Sequence, residues 1–316
     1  MGLKTVVLNS ERMNYDGKLD LSVLSSEVKE YASTEQDQIL ERVQGMDVVV
    51  TKEMPVDGDT IARFPDSVQL ICEAGTGYNN IDIEAARARG ITVCNIPAYS
   101  TERVAHTAIM MILNLSSSMQ IQQAMLARGD RSNFPKCMQF SHVEVNGRVL
   151  GVVGAGTIGR EVIKVAQALG MKVLAYTRTP RADEDNLKYV SLEELLKQSD
   201  YISQHCPLTP QTRHMINKET IAMMKPTAYI INTGRGALID EPALIEALKE
   251  GRIAGAGLDV QETEPPVQNN PLYDMPNVIL TPHMGWKGLE TRQRLVSILA
   301  ANIQAFDEGR PQNVVS

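Results

Sequence analysis

Four polar residues in the C-terminal half of the chain stand just past apolar, strand-like runs. They are Arg235 in Asn232-Thr233-Gly234-Arg235-Gly236, Asp259 in Gly257-Leu258-Asp259-Val260, Glu264 in Glu262-Thr263-Glu264-Pro265, and His283 in Thr281-Pro282-His283-Met284-Gly285-Trp286. Open parallel sheets bind ligands outside the carboxyl ends of their strands, so these positions are where chemistry belongs. Taken singly, each also reads as an ordinary loop residue: an exposed arginine, a solvated turn glutamate, one loop histidine among five. Taken together they supply a cation, an acid and an imidazole. Such a set suits hydride transfer to a 2-oxo acid. The cation binds the carboxylate and polarises the carbonyl, the histidine donates the proton, and the glutamate orients the imidazole and favours its charged form.

The element that must position this chemistry lies upstream. Val149 to Val153 is an apolar strand-like run that leads into Gly154, Gly156 and Gly159 at G-x-G-x-x-G spacing, and a helix pattern follows at once. The first glycine allows the tight turn, the second lets a pyrophosphate approach bare backbone, and the third lets helix and strand pack closely. The N–H groups at the helix start, Thr157 and Ile158, face the anion with the helix dipole behind them. A lone glycine motif is weak, but here strand, turn, helix and a second strand (Lys172 to Tyr176) fall in the required order. The motif therefore predicts a dinucleotide site, with Gly170 ending the helix.

An NAD-reading protein carries Asp or Glu at the end of that second strand, to accept from the ribose hydroxyl. This chain has Tyr176-Thr177-Arg178-Thr179-Pro180-Arg181 instead. Without the carboxylate, repulsion toward a 2′-phosphate is absent, and a guanidinium can hold that phosphate by two bonds. Arg178, Thr179 and Arg181 thus favour NADP over NAD; the alternative is a solvated loop with incidental arginines.

Composition bounds the rest. At 316 residues the chain suits two domains, and 43% hydrophobic residues can build two cores. A net charge of −7 argues against nucleic acid or an anionic membrane as partner. No apolar run approaches a membrane span. The start, Met1 to Val6, enters a strand without a signal-peptide pattern, and Val6 stands where myristoylation needs Ser or Thr. Cys72, Cys94, Cys137 and Cys206 form no C-x-x-C and read as reduced structural cysteines of a cytoplasmic protein; their spacing gives no support to a metal cluster.

Before the glycine motif, strands are predicted at 4–8, 48–51, 68–72 and 91–94, with an amphipathic helix over 19–31 and another from Ile83 to Arg89. Glu73-Ala74-Gly75-Thr76-Gly77 after the third strand offers backbone N–H groups to an anion. One long helix is predicted from Ser100 to about Leu126, with methionines in the core or a subunit interface. Residues 129–147 read as polar and irregular. After the motif, strands follow at 201–206, 228–232, 253–260 and 278–280, with helices capped at Ser191 and Asp240 and a last helix from Leu289 to Phe306.

The G-x-G-x-x-G, His205-Cys206-Pro207-Leu208-Thr209, Asn232-Thr-Gly-Arg-Gly236, Gly255-Ala-Gly-Leu-Asp-Val260, Glu264-Pro265 and Thr281-Pro-His283 resemble the D-isomer-specific 2-hydroxyacid dehydrogenases, in order and at family spacing. Tyr78 to Asp82, Tyr99-Ser100 and Trp286 are similar to the glycerate dehydrogenase, or hydroxypyruvate/glyoxylate reductase, branch. The resemblance implies an α/β fold of two doubly wound parallel-sheet domains. One is a Rossmann dinucleotide-binding domain over 99–283; the other is a discontinuous flavodoxin-like substrate domain over 1–98 and 284–316. It implies catalytic Arg235, Glu264 and His283, and Thr76 and Gly77 N–H groups on the substrate carboxylate. It places Asp259 at the nicotinamide carboxamide, Thr233 in the nicotinamide pocket, and His205, Pro207 and Thr212 along the adenosine. A homodimer through the cofactor domain is implied too. The implied substrate is a small 2-oxo or 2-hydroxy acid such as hydroxypyruvate or glyoxylate. Val104-Ala105-His106 departs from the family's usual Glu or Gln; His106 reads better as packing than as site. Trp286, the single tryptophan, reads equally as a substrate-pocket wall or as packing. Two other readings share the fold: a dinucleotide-sensing, partner-binding protein, and a phosphite- or formate-type dehydrogenase.

Overall fold

The computed structural model describes residues 2–136, 139–179 and 181–316. Among the described residues there are twelve strands: β1 (Lys4–Val7), β2 (Glu27–Glu30), β3 (Val48–Thr51), β4 (Leu70–Glu73), β5 (Thr92–Cys94), β6 (Val149–Val153), β7 (Lys172–Tyr176), β8 (Leu187–Tyr189), β9 (Tyr201–Gln204), β10 (Tyr229–Asn232), β11 (Gly255–Leu258) and β12 (Val278–Leu280). The helices are α1 (Ile39–Arg42), α2 (Gly58–Ala62), α3 (Ile83–Ala88), α4 (Thr101–Ser116), α5 (Met119–Ala127), α6 (Thr157–Ala168), α7 (Leu192–Gln198), α8 (Lys218–Ile221), α9 (Glu241–Lys249) and α10 (Leu289–Asp307). The chain divides into two compact units, Met1–Ser100 with Trp286–Ser316, and Thr101–Gly285. No helix among the described residues is long and apolar enough to cross a membrane.

The first unit holds a parallel sheet in the order β2-β1-β3-β4-β5. Its inner strands β3 and β4 are buried on both faces because helices cover both. Val7, Val48 and Val50 pack toward Leu295, Leu299 and Ile303 of α10. Val6, Val49 and Ile71 pack the other way, toward Ile39, Ile61 and Ala86. Each fully buried aliphatic side chain of this kind contributes about 1.5–3 kcal/mol.

The second unit holds a seven-stranded sheet in the order β12-β11-β10-β9-β6-β7-β8, parallel throughout. Strand order reverses at β6, the strand that carries the glycine motif, and such a switch point is where a doubly wound sheet binds its ligand. Ala105, Ala108 and Ile112 of α4 and Val162 and Ala166 of α6 cover one face; Leu195, Ile221 and Leu244 cover the other. The predicted caps form: Glu194 N–H donates to Ser191 Oγ at 3.1 Å and Ala243 N–H to Asp240 Oδ1 at 3.2 Å. Gly170 takes φ 76° where α6 ends.

Two predicted elements and the placement of one residue are corrected. Residues 19–31 form no amphipathic helix: a short turn at Ser22–Leu24 buries Leu24, and Glu27–Glu30 pairs with β1 as a charged edge strand. Charged residues on a sheet edge block further pairing, which is why this strand looks polar. The long helix from Ser100 to Leu126 is broken after Ser116, where Ser118 adopts φ 49°. Ser116 and Ser117 hydroxyls bond back to Leu113 O, competing with the helical ladder. His106 is exposed on α4 rather than packed. The structural reading of Cys72, Cys94 and Cys206 fits their free, sheltered thiols, while Cys137 lies outside the described residues. Burial raises the Cys94 and Cys206 thiols to about 11.

Candidate active site

Arg235 follows β10 and is fixed by Asn232. Asn232 Nδ2 donates to Arg235 O at 2.9 Å, and Asn232 Oδ1 accepts from Gly234 N at 3.0 Å. The Arg235 guanidinium bonds only its neighbour Gly234 O, at 2.9 Å, and no carboxylate among the described residues pairs with it. A half-buried arginine left without a counter-ion is ready to take an anionic ligand.

Glu264 and His283 meet. Glu264 Oε2 lies 2.8 Å from His283 Nδ1, and Glu264 Oε1 accepts from Gln261 N at 3.1 Å. The imidazole therefore keeps Nε2 for another partner. Its backbone is held in the left-handed region, φ 48°, unusual for a residue with a side chain. Asp259, 1% exposed at the end of β11, imposes that conformation. Asp259 Oδ1 accepts from Thr281 Oγ1 at 2.6 Å and Met284 N at 2.8 Å, Oδ2 accepts from Gly285 N at 2.8 Å, and its carbonyl accepts from His283 N at 2.8 Å. One carboxylate thus folds the whole turn that presents the histidine.

The glycine turn fits a dinucleotide. Gly154 takes φ 99°, and a Cβ there would lie 2.6 Å from Cys206 N. A Cβ on Gly159 would lie 2.1 Å from Gly154 O, so only glycine lets α6 approach β6. At Gly156 a Cβ would meet nothing within 4 Å. That open space, at the N-cap of α6 where backbone N–H groups lack internal acceptors, is the cradle a pyrophosphate would fill. Thr233 Oγ1 past β10 is buried without a partner, as a group awaiting a ligand would be. The His205 segment backs the turn: His205 N donates to Val153 O at 2.8 Å, and Thr212 Oγ1 bonds Pro207 O at 2.7 Å. Arg178, Thr179 and Arg181 are exposed past β7.

Residues 109–285 match the family described as D-isomer specific 2-hydroxyacid dehydrogenase, NAD binding domain. The chain is 42% identical over 294 residues to a glycerate dehydrogenase of Methylorubrum extorquens, covering 92% of each chain. It is 40% identical over 287 residues to a hydroxypyruvate reductase of Blautia hydrogenotrophica, covering 90% of this chain and 89% of that one. This chain belongs to the D-isomer-specific 2-hydroxyacid dehydrogenase family. Its fold agrees: a crystal structure of a glyoxylate reductase from Paecilomyes thermophila is similar with TM-score 0.85 and 32% identity, over 99% of this chain and 98% of that one. The protein is an NAD(P)-dependent dehydrogenase of small 2-oxo and 2-hydroxy acids.

In the dehydrogenase's first unit, side-chain bonds brace the loop after β4. Thr76 Oγ1 donates to Ile96 O at 2.9 Å and Asn95 Nδ2 to Thr76 O at 2.7 Å. The N–H groups of Thr76 and Gly77 have no acceptor among the described residues. Trp286 is 5% exposed, with its ring edge-on to Tyr99 at 6.5 Å.

Sequence reasoning missed the charged group beneath this loop. Glu73 is fully buried and accepts from Thr51 Oγ1 at 2.8 Å, Asn80 Nδ2 at 2.9 Å and Glu53 N at 2.9 Å. Burial raises its pKa, with the nearby Lys52 charge opposing. Lys52 itself is 1% exposed. The available signal was a lysine placed directly after the apolar run Val48–Thr51.

Proposed function

We propose that this dehydrogenase reduces hydroxypyruvate or glyoxylate to the D-hydroxy acid, with NADPH as the favoured donor. The 2.8 Å contact of Glu264 with His283 is the observation that carries the reading, and Arg235, with which no carboxylate among the described residues pairs, supports it. Arg235 binds the substrate carboxylate and polarises the 2-oxo group. His283 gives a proton from Nε2 to the carbonyl oxygen, while Glu264 holds the ring by Nδ1. Thr76 and Gly77 N–H groups and Trp286 are the substrate contacts of the first unit. The dinucleotide, when bound, supplies the hydride.

Gly154, Gly156, Thr157, Ile158 and Gly159 hold the pyrophosphate. Thr233 lines the nicotinamide side, and His205, Pro207 and Thr212 the adenosine side. Asp259 has one acceptor position left after its three side-chain bonds, enough for a carboxamide N–H. Arg178, Thr179 and Arg181 take the 2′-phosphate; among the described residues no ion pair occupies Arg178. The 2-1-3-4-5 strand order supports a flavodoxin-like substrate domain in the first unit. Exposed Leu113, Met119 and Leu126 on α4 and α5, at 39–44%, support a homodimer formed through that surface. The assignment to the cytoplasm rests on the reduced cysteines.

The test is steady-state reduction of hydroxypyruvate and glyoxylate with NADPH and NADH in parallel. Turnover of both acids with NADPH preferred is expected. A preference for NADH would remove the 2′-phosphate assignment and leave the trio standing; no turnover of either acid would remove the substrate assignment.

A further inference from the structure

Glu264 stands on a loop that its own backbone does not hold. Among the described residues, 261–266 make no backbone–backbone hydrogen bond between β11 and the turn at Pro271–Asp274. Side chains hold this loop instead. Glu262 N donates to Glu241 Oε2 at 3.2 Å, at the start of α9, and Glu241 Oε1 accepts from Asn270 Nδ2 at 2.9 Å. Glu262 Oε1 accepts from Arg213 Nη2 at 3.0 Å and lies 2.6 Å from His214 Nε2. Arg213 is the more exposed of these two partners, so the histidine is the firmer anchor.

His214 is tied at its other end to the loop that carries Arg235. Its N–H donates to Ala237 O at 2.9 Å, and Asn217 Nδ2 bonds its carbonyl at 3.2 Å. Its backbone takes φ 51°, which a residue with a side chain seldom adopts. Leu238 N in turn donates to Arg235 O at 3.1 Å. A Cβ on Gly236 would collide with Gln261 O, so the two loops run in direct contact. All of these residues lie in the second unit, as do Arg235, Glu264 and His283. We infer that His214 and Glu262 are positioning residues of the reaction: the pair ties the loop of Glu264 to the loop of Arg235, and so sets where the Glu264 carboxylate meets His283. This inference rests on the proposed function, which gives Glu264 and His283 their roles, and deepens it. Without the pair, Glu264 keeps its charge, but its loop loses one of its two side-chain anchors. The 2.8 Å contact with Nδ1 is then made for less of the time, and a small misplacement of a catalytic group costs rate out of proportion to its size.

The experiment is a double-mutant cycle in kcat on the full-length enzyme, with hydroxypyruvate and NADPH. Glu262→Ala is expected to lower kcat by about tenfold or more while Glu264 is present, and by no more than about twofold in a Glu264→Ala background, where no carboxylate is left to position. Glu262→Gln, whose carbonyl oxygen still accepts from Arg213 and His214, is expected to hold kcat within about threefold of the wild type. His214→Asn tolerates the left-handed backbone but ends short of Glu262; it is expected to repeat the Glu262→Ala pattern, and it decides the question if Glu262→Ala does not fold. Equal losses in the two backgrounds, or no loss in either, overturn the inference: the pair then braces the fold without acting through Glu264. With Glu264→Ala slow on its own, either of those results leaves the trio standing. A Glu264→Ala variant with wild-type kcat removes the role of Glu264 itself, and the inference falls with it.

Discussion

Glu264 Oε2 sits 2.8 Å from His283 Nδ1, and so fixes which nitrogen of the imidazole is free. With Nδ1 engaged, Nε2 is the atom that exchanges the proton under the proposed function. Glu264→Gln keeps the size of the side chain but removes its charge, leaving a ring that is held less firmly. We expect kcat to fall by roughly tenfold or more, with dinucleotide affinity unchanged. Equal kcat values for Glu264→Gln and wild type would show that the pair has no part in proton transfer.

Asp259 is expected to act on the same ring from behind, by folding the turn at residues 281–285. Asp259→Asn keeps two acceptor sites on one oxygen but confronts a backbone N–H with an amide donor. The variant should lose both kcat and thermal stability, because a buried donor without an acceptor costs about 1–3 kcal/mol. A melting temperature equal to the wild type would contradict the role given to Asp259 in the turn.

The glycines of the motif make separable predictions. Gly156→Ala places its methyl in open space, so the melting temperature of the apo protein should hold while dinucleotide affinity falls, because the methyl would occupy the proposed pyrophosphate cradle. Gly159→Ala forces a methyl to within 2.1 Å of Gly154 O and should lower both. Calorimetric titration with NADPH, beside thermal melts, reads the two effects. Unimpaired binding by Gly156→Ala would place the pyrophosphate elsewhere.

Much of this was legible in the sequence for physical reasons that can be named. Gly154, Gly156 and Gly159 follow a strand and open a helix, a coincidence of periodicity and backbone demand that few other structures require. Arg235, Glu264 and His283 stand out because strand ends of a parallel sheet are readable from apolar runs. Glu27 to Glu30 was misread because an edge strand has no buried face to give it period-two patterning. The break at Ser117-Ser118 was hidden because the apolar stripe of α4 runs on into α5. Lys52 and Glu73 were missed because a buried charge is announced only by its partners, and Thr51, Asn80 and Trp286 are brought to it by the fold alone.

Arg178 gives the cofactor prediction. If its guanidinium holds the 2′-phosphate, Arg178→Gln should raise the NADPH KM by about 10–100-fold, from the loss of charged hydrogen bonds, and leave that of NADH within a few-fold. Equal changes for the two cofactors would return the 177–181 loop to solvent.

His205 gives a pH prediction. Burial lowers its pKa from 6.5 to about 4, and its Nε2 is 2.8 Å from Ser203 Oγ. Between pH 6.5 and 4 the unfolded chain binds a proton that the folded imidazole does not. Its contribution to stability is therefore complete above 6.5, lost as pH falls through that window, and unchanged further below about 4. Melting temperatures of wild type and His205→Gln, followed across the window, should converge toward the acid end. Parallel curves would contradict the assignment.

The most direct test of the whole account is the His283→Ala variant, assayed by the near-ultraviolet absorbance of NADPH with hydroxypyruvate and with glyoxylate. The account predicts a fall in kcat of ~10²–10⁴-fold with NADPH affinity retained. Turnover at the wild-type rate would contradict it, because no other residue assigned here can deliver the proton.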